Sequence, residues 1–162
     1  MAEKASKWGV HIVEWSVVAV LLVVMITVFG RQVQVVQGQA ERGLVLSTLG
    51  ALRTAFVIDH LRQATLPVAS RVAFQQRNPF LLLERKPANY AGEFESSQLD
   101  ALVPGSWIFD PVCSCIGYMP KEPQWLESPP GALIAWFQIS PPPGPFQITA
   151  TQPYVWQGQA VN

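Results

Sequence analysis

The feature that most constrains this 162-residue chain is an apolar run, Gly9–Gly30, close to its start. At about 1.5 Å per residue, a helix of this length spans roughly the 30 Å hydrocarbon core of a bilayer. We therefore predict a transmembrane helix over residues 10–30. Lys4 and Lys7 precede the run, and basic residues favour the cytoplasmic side, so the bulk of the chain is expected outside the cytoplasm.

Four polar residues interrupt the apolar run: His11, Glu14, Ser16 and Thr27. Glu14 is the costly one, because a carboxylate in lipid costs about 2.5–3.5 kcal/mol even on lenient insertion scales. It fits either of two interpretations. It can be an acid in the first turns of a helix, where the dipole and the headgroups favour it. Alternatively, cleavage after Gly9 frees an amine on Val10, roughly 6 Å along the helix axis from Glu14, and the acid of one subunit pairs with the amine of the next.

A lysine-containing leader, Gly9, an apolar residue and then Glu14 five positions after the glycine resemble the type III signal of type IV pilins and type II secretion pseudopilins. The resemblance implies a leader over residues 1–9 that a prepilin peptidase cuts between Gly9 and Val10, methylation of the new amine, and an assembly role for Glu14. The chain departs from the family pattern in two places. Val10 stands where Phe or Met is usual, and the next three residues, H-I-V, replace T-L-I.

A second stretch also resembles this family. Residues 78–93 read N-P-F-L-L-L-E-R-K-P-A-N-Y-A-G-E, and residues 104–110 read P-G-S-W-I-F-D. Together they are similar to the connector of certain minor pseudopilins and pilin-like proteins. We predict a connector loop over residues 78–104 that ties the head to the helix through apolar anchors: Phe80, Leu81, Leu82 and Tyr90.

Between the span and the connector, residues 31–77 are predicted to form an amphipathic helical continuation. Pro67 interrupts it, and a short second helix is expected over residues 68–76. The apolar stripe of the continuation is expected to contain Val33, Val36, Ala40, Leu44, Leu49, Leu52, Phe56 and Leu61.

Residues 105–162 are predicted to form a head of three or four antiparallel strands, because aromatic and branched residues alternate between proline-rich turns. Asp110-Pro111 is predicted to open the turn of a hairpin. One face of this sheet and the apolar stripe of the helix each need a cover, so we expect the sheet to lie on the helix in an α+β fold. The resemblance implies the same, pilin-like architecture. The expected strands are Ser106–Asp110, Cys115–Met119, Ala132–Ser140 and Phe146–Ala150, and Tyr154–Trp156 is a candidate for an additional short edge strand.

The two cysteines, Cys113 and Cys115, lie near the tip of the predicted hairpin. They fit a structural pair, a disulfide within or between subunits, or a redox or metal role. No further metal ligand lies near them in sequence, and we predict no metal site and no cofactor. Eleven basic residues balance eleven acidic ones, so nothing indicates nucleic-acid binding. No catalytic motif is present, and we do not expect an enzyme.

The resemblance thus implies a minor pilin or pseudopilin subunit of a type IV pilus or type II secretion fibre. Its expected partners are other pilin-like subunits, the prepilin peptidase, an inner-membrane assembly platform and membrane lipid. The expected location is the inner membrane, in a single pass, with the C-terminal head in the periplasm. Two alternatives remain: an uncleaved, membrane-anchored periplasmic binding module, and a thiol-active periplasmic protein that uses Cys113 and Cys115.

Overall fold

The computed structural model describes residues 2–67, 78–94, 101–128, 132–140 and 147–161, with side chains from residue 11 onward. Over these residues the chain forms one long apolar helix and eight strands, an α+β arrangement. Short 3-10 turns lie at Pro79–Leu81 and Pro123–Trp125. The elements are α1 (Ala2–Ala64), β1 (Tyr90–Glu93), β2 (Trp107–Asp110), β3 (Cys115–Tyr118), β4 (Leu126–Glu127), β5 (Ala135–Ser140), β6 (Gln147–Ala150), β7 (Tyr154–Trp156) and β8 (Gln159–Val161).

The chain divides into two compact units, Met1–Gln39 and Ala40–Asn162. The described part of the first unit is helical throughout. The second unit contains the remainder of α1 and both sheets. The helix ends at Ala64, and the short helix expected over residues 68–76 lies outside the described residues.

The larger sheet has five strands in the order β1-β2-β3-β5-β6. Its β2–β3 hairpin places Asp110 opposite Cys115, as expected from the turn at Asp110-Pro111. The remaining pairs are antiparallel except β1 with β2, which is parallel. The head is therefore mixed rather than purely antiparallel, and the region predicted as a connector loop contributes a strand. A register shift between Tyr90 and Gly92, where Gly92 has a φ of 118°, lets this short strand follow β2.

A second, three-stranded antiparallel sheet has the order β4-β7-β8. Residues Tyr154–Trp156, expected as a short edge strand of the head's sheet, form instead the central strand β7 of this second sheet. Its outer strands β4 and β8 are two and three residues long, and they lie in segments where the sequence predicts no strand. Leu126 pairs with Trp156, and Tyr154 pairs with Val161.

The main core of the second unit lies between α1 and the sheets. From the helix it takes Val45, Leu49, Leu52 and Phe56, which recur every three or four residues and so share one side of the helix. A smaller cluster built on Leu102, Ile108 and Ile134 is separate from this core. The strands supply the remainder of the main core, including Phe109, Ile116, Tyr118, Phe137, Ile148, Tyr154 and Trp156.

Of the eight residues predicted for the helical stripe, only Leu49, Leu52 and Phe56 are buried, whereas Val33, Val36 and Ala40 are exposed together with two leucines. Leu44 and Leu61 are 68% and 63% exposed, whereas Val45, which the prediction left out, is buried. With 3.6 residues per turn, successive residues are rotated by about 100°, so position 61 lies on the side of the helix opposite positions 45, 49, 52 and 56, and position 44 lies on a flank between the two sides. The helix in the second unit therefore has two apolar sides, and the sheets cover one of them.

Candidate functional site

The first unit carries the residues expected at a prepilin-type signal. Gly9 and Val10 lie in helical backbone within α1. Glu14 is exposed, and its Oε2 lies 3.4 Å from Nδ1 of His11, one helical turn earlier. The carboxylate is thus accessible to a partner from outside the helix while it keeps a contact within it.

All four polar residues of the apolar run have partners within α1. Besides the His11–Glu14 contact, the Ser16 hydroxyl donates to the carbonyl of Val13 at 2.7 Å. The Thr27 hydroxyl lies 3.0 and 2.8 Å from the carbonyls of Val23 and Val24. Polar groups in hydrocarbon need such internal partners, because lipid offers no hydrogen bonds.

Large apolar side chains in the described part of this run are exposed throughout. The helix is long and apolar enough to cross a membrane, with a mean hydropathy of 2.6 in its most apolar window. A single membrane span and a signal anchor both meet this criterion. A helix that is apolar on all sides needs either lipid or other helices around it.

In the second unit, α1 has an exposed side that we call the open face. It consists of small and apolar residues, and it lies opposite the side that the sheets cover. The Thr54 hydroxyl, the polar group nearest its centre, donates to the carbonyl of Gly50 at 3.1 Å and is satisfied by its own helix. The members of the open face are Gly43, Leu44, Ser47, Gly50, Ala51, Thr54, Ile58 and Leu61, and none carries a charge.

One edge of the open face continues into a groove of about 590 Å³. Ala51, Thr54 and Ile58 line one wall, and residues 81–84 form the other. Leu81, expected as an anchor of the connector, is 59% exposed at this groove. Its neighbour Phe80 is fully buried and takes the anchoring role. Asp59, Arg62 and Glu84 also line the groove, so it combines charged side chains with the exposed apolar surface of Leu81.

The covered side of α1 contains a buried charge that the sequence did not indicate. Glu41 is only 4% exposed, and its Oε1 accepts hydrogen bonds from the Tyr118 hydroxyl at 2.8 Å and the Lys121 backbone N–H at 2.9 Å. The next residue, Arg42, donates from Nη2 to the carbonyl of Ala160 in β8 at 3.1 Å. Glu41 lies four residues before Val45, and this spacing places it on the covered side.

The two stretches that resemble the family's connector meet in the structure. Asn78 Nδ2 donates to the Tyr90 hydroxyl at 2.6 Å and to Oε1 of Glu93 at 2.7 Å, and its Oδ1 accepts from the Phe80 N–H at 3.0 Å. Asn89 Nδ2 donates to the carbonyl of Gly105 at 2.6 Å. These polar contacts, rather than apolar anchors alone, hold the connector on the sheet.

An aromatic series runs from the connector into the core. The ring of Phe80 stacks on Tyr90 with centroids 4.2 Å apart and lies 6.0 Å from Trp107. Trp107 in turn lies 4.6 Å from Tyr118, the residue that binds Glu41. The connector and the buried Glu41 thus belong to one packed region of the second unit.

The two cysteines are joined by a disulfide at the β2–β3 turn. Ser114 between them has a φ of 55°, a left-handed conformation that is uncommon for a residue with a side chain. Within the described ranges, no group of three or more His, Cys, Asp or Glu residues converges on a point. Glu14 belongs to the first unit and the cysteine pair to the second.

Comparison with protein-family models, curated proteins and solved structures finds no match for this chain. The candidate functional site therefore rests on the residues themselves: Glu14 with its neighbours at the start of α1, and the open face further along it.

Proposed function

We propose that this chain is a pilin-like structural subunit, a minor pilin or pseudopilin, of a type IV pilus or type II secretion fibre. The first unit spans the inner membrane, the leader over residues 1–9 is removed, and the second unit stands in the periplasm. Subunits assemble through their N-terminal helices. Glu14 of one subunit pairs with the Val10 amine of another, which sets the stagger between the two helices.

The observation that carries this proposal is the open face of α1. In a monomeric tethered domain, Leu44, Ala51, Ile58 and Leu61 would stay exposed to water on the side directed away from its own core. Contiguous exposed apolar surface of this kind is typical of interaction sites. Glycines and alanine among the leucines allow helix backbones to approach closely. Packing of one α1 against another buries this face.

The proposal is tested by placing a charge on the open face. We expect Leu44→Glu to fold and insert normally and to reduce co-isolation of the subunit with fibres at least tenfold, because a carboxylate would be buried without a partner. Val112→Glu is the matched control, since Val112 is 81% exposed in the β2–β3 turn, away from the helix. Equal incorporation of both variants would contradict the proposal.

Glu14→Leu tests the stagger. It should leave membrane insertion intact, since it removes a costly charge, and should impair incorporation into fibres. N-terminal sequencing of the mature protein separates the fibre subunit from the uncleaved, membrane-anchored module. A chain that begins at Val10 supports the subunit, and a chain that retains Met1 supports the anchor.

The disulfide at an exposed turn favours one further candidate, a thiol-active periplasmic protein. The double variant Cys113→Ser/Cys115→Ser discriminates between this candidate and the fibre subunit. Unchanged incorporation and unchanged cellular function of the double variant exclude thiol chemistry as the role of the protein, whereas loss of function in a folded, inserted variant supports it.

A further inference from the structure

His11 stands at a place in α1 that gives it a specific relation to Glu14. The two residues are three positions apart, and Nδ1 of His11 lies 3.4 Å from Oε2 of Glu14. Side chains on a helix lean toward its N-terminus, so the Glu14 carboxylate leans toward residues 10 and 11. The other positions one turn away from Glu14 are Val10, Val17 and Val18, which offer no polar side chain.

The other polar groups of the apolar run bond to backbone carbonyls rather than to Glu14. Ser16 bonds to Val13, and Thr27 bonds to Val23 and Val24. His11 is therefore the one side-chain partner that the described part of this helix supplies to the carboxylate. Both side chains are about two-thirds exposed, so another chain can approach them.

We propose that His11 is a positioning residue for Glu14, holding one carboxylate oxygen while the subunit is unassembled in the membrane. This inference rests on the proposed fibre function and deepens it. A carboxylate has two oxygens and can accept from several donors at once. Because His11 contacts Oε2, Oε1 remains available to the amine of a neighbouring subunit.

The pairing has a purpose at each stage of assembly. Before assembly, a donor from His11 lowers the cost of keeping Glu14 in hydrocarbon, since intramembrane acids require a partner. During assembly, a carboxylate already directed toward the N-terminus meets the incoming amine without first losing rotamer freedom. The proposal also gives a role to His11 as a departure from the family pattern, because His11 begins the segment H-I-V where the family has T-L-I.

The test is a double-mutant cycle on membrane insertion of the full-length chain, with His11→Leu, Glu14→Leu and the double variant. Leucine at position 11 raises the hydrophobicity of the helix equally whether residue 14 is glutamate or leucine. The ratio of the two effects of His11→Leu therefore reports only the interaction between His11 and Glu14. We compare the effect of His11→Leu on the insertion equilibrium constant in two backgrounds, one with Glu14 and one with Glu14→Leu. The effect should be roughly threefold less favourable in the background with Glu14, a size usual for polar pairs within membranes.

If His11→Leu changes insertion equally with and without Glu14, a ratio of one, the proposal is overturned. The conservative variant His11→Gln, which keeps a side-chain N–H donor, should restore most of the interaction. If His11→Gln behaves as His11→Leu, the contact does not depend on a donor and the proposal is likewise overturned.

Fibre incorporation per inserted subunit separates this inference from the function on which it rests. His11→Leu should reduce incorporation severalfold, and His11→Gln should retain it. Normal incorporation of Glu14→Leu would refute the fibre mechanism even if the insertion cycle showed the pair. Loss of incorporation in Glu14→Leu together with a cycle ratio of one would refute the role of His11 alone.

Discussion

The carboxylate of Glu41 on α1 accepts a 2.8 Å hydrogen bond from the hydroxyl of Tyr118 on β3, 77 residues away in sequence. The same oxygen accepts from the backbone N–H of Lys121 at 2.9 Å. A buried charge is tolerated only when it is hydrogen-bonded, so these contacts specify which side of α1 meets the sheet. The open face of α1 is thereby left on the outside.

Tyr118→Phe should destabilise the second unit by about 1–3 kcal/mol, because it removes one of the two donors to the buried Glu41 carboxylate. Glu41→Gln retains an acceptor oxygen for Tyr118 and should cost less than Glu41→Ala, which leaves both donors unpaired. Denaturant unfolding of the full chain in detergent, followed by tryptophan fluorescence, measures these differences. Wild-type stability of Tyr118→Phe would show that the hydrogen bond contributes nothing.

The same contact predicts a dependence of stability on alkaline pH. Burial raises the pKa of Tyr118 above its ordinary value of 10.0, and the hydrogen bond to Glu41 and the charge of Glu41 raise it further. A raised pKa means that the native state holds its proton more tightly than the unfolded state does. The contribution to stability is therefore complete below about pH 10 and is lost as the pH rises further.

Unfolding experiments at intervals from about pH 8 to pH 11 test this. Tyr118→Phe should lose less stability than wild type over the upper part of the range, because phenylalanine does not ionise. Part of the alkaline slope should persist in the variant, since burial also raises the pKa of Tyr90. If stability falls equally steeply with pH in wild type and in Tyr118→Phe, Tyr118 does not contribute to the alkaline pH dependence.

Several elements of the fold followed from the sequence because their signals are local. The length of the apolar run predicted a helix, and aromatic alternation around Asp110-Pro111 predicted the β2–β3 hairpin. Strand β1 was missed because its partner β2 lies beyond a long connection and pairs in parallel, which leaves no turn signal next to it. Strands β4 and β8 were missed because they are very short.

The helix shows a second reason for incomplete prediction. It has two apolar sides, so a single stripe drawn through Leu49 and Leu61 mixes residues from both. Hydrophobic periodicity cannot separate a side that meets the sheet from one that meets another chain. The burial of Glu41 has no local sequence signal, because its partners, Tyr118 and Lys121, are distant in sequence.

Asn78 is predicted to be essential for docking the connector. Asn78→Ala removes three hydrogen bonds, to Tyr90, Glu93 and the Phe80 N–H, and should cost about 2–3 kcal/mol at typical values near 1 kcal/mol each. Asn78→Asp keeps the acceptor for Phe80 but places a second carboxylate against Glu93. Near neutral pH, Asn78→Asp should be at least as destabilising as Asn78→Ala. Its stability should recover in acid, where the carboxylates are protonated. A pH-independent effect of Asn78→Asp would contradict this account.

Gly117 in β3 is predicted to tolerate no side chain. A Cβ at this position would lie 2.7 Å from Cγ1 of Ile108 and 2.9 Å from Cζ3 of Trp136. Gly117→Ala should therefore destabilise the sheet by about 1–3 kcal/mol through overpacking. The paired variant Gly117→Ala/Ile108→Val, which removes Cδ1 of Ile108, 3.0 Å from the added Cβ, but retains Cγ1, should recover part of the loss in an unfolding experiment. If Ile108→Val does not compensate, the strain comes from Cγ1 of Ile108 or from Trp136, and wild-type stability of Gly117→Ala would contradict the overpacking itself.

Gly50 on the open face offers a prediction in which stability and assembly change in opposite directions. A Cβ at this position meets nothing within 4 Å, and alanine is favoured over glycine in a helix by up to about 1 kcal/mol. Gly50→Ala should therefore stabilise the isolated subunit. If a neighbouring helix packs closely here, the added methyl group keeps the two backbones apart, and incorporation into fibres should fall. Arg53→Ala, on a flank of the same helix, is the control and should leave incorporation unchanged. A more stable Gly50→Ala subunit that assembles as well as wild type would mean that no helix crosses the open face at this glycine.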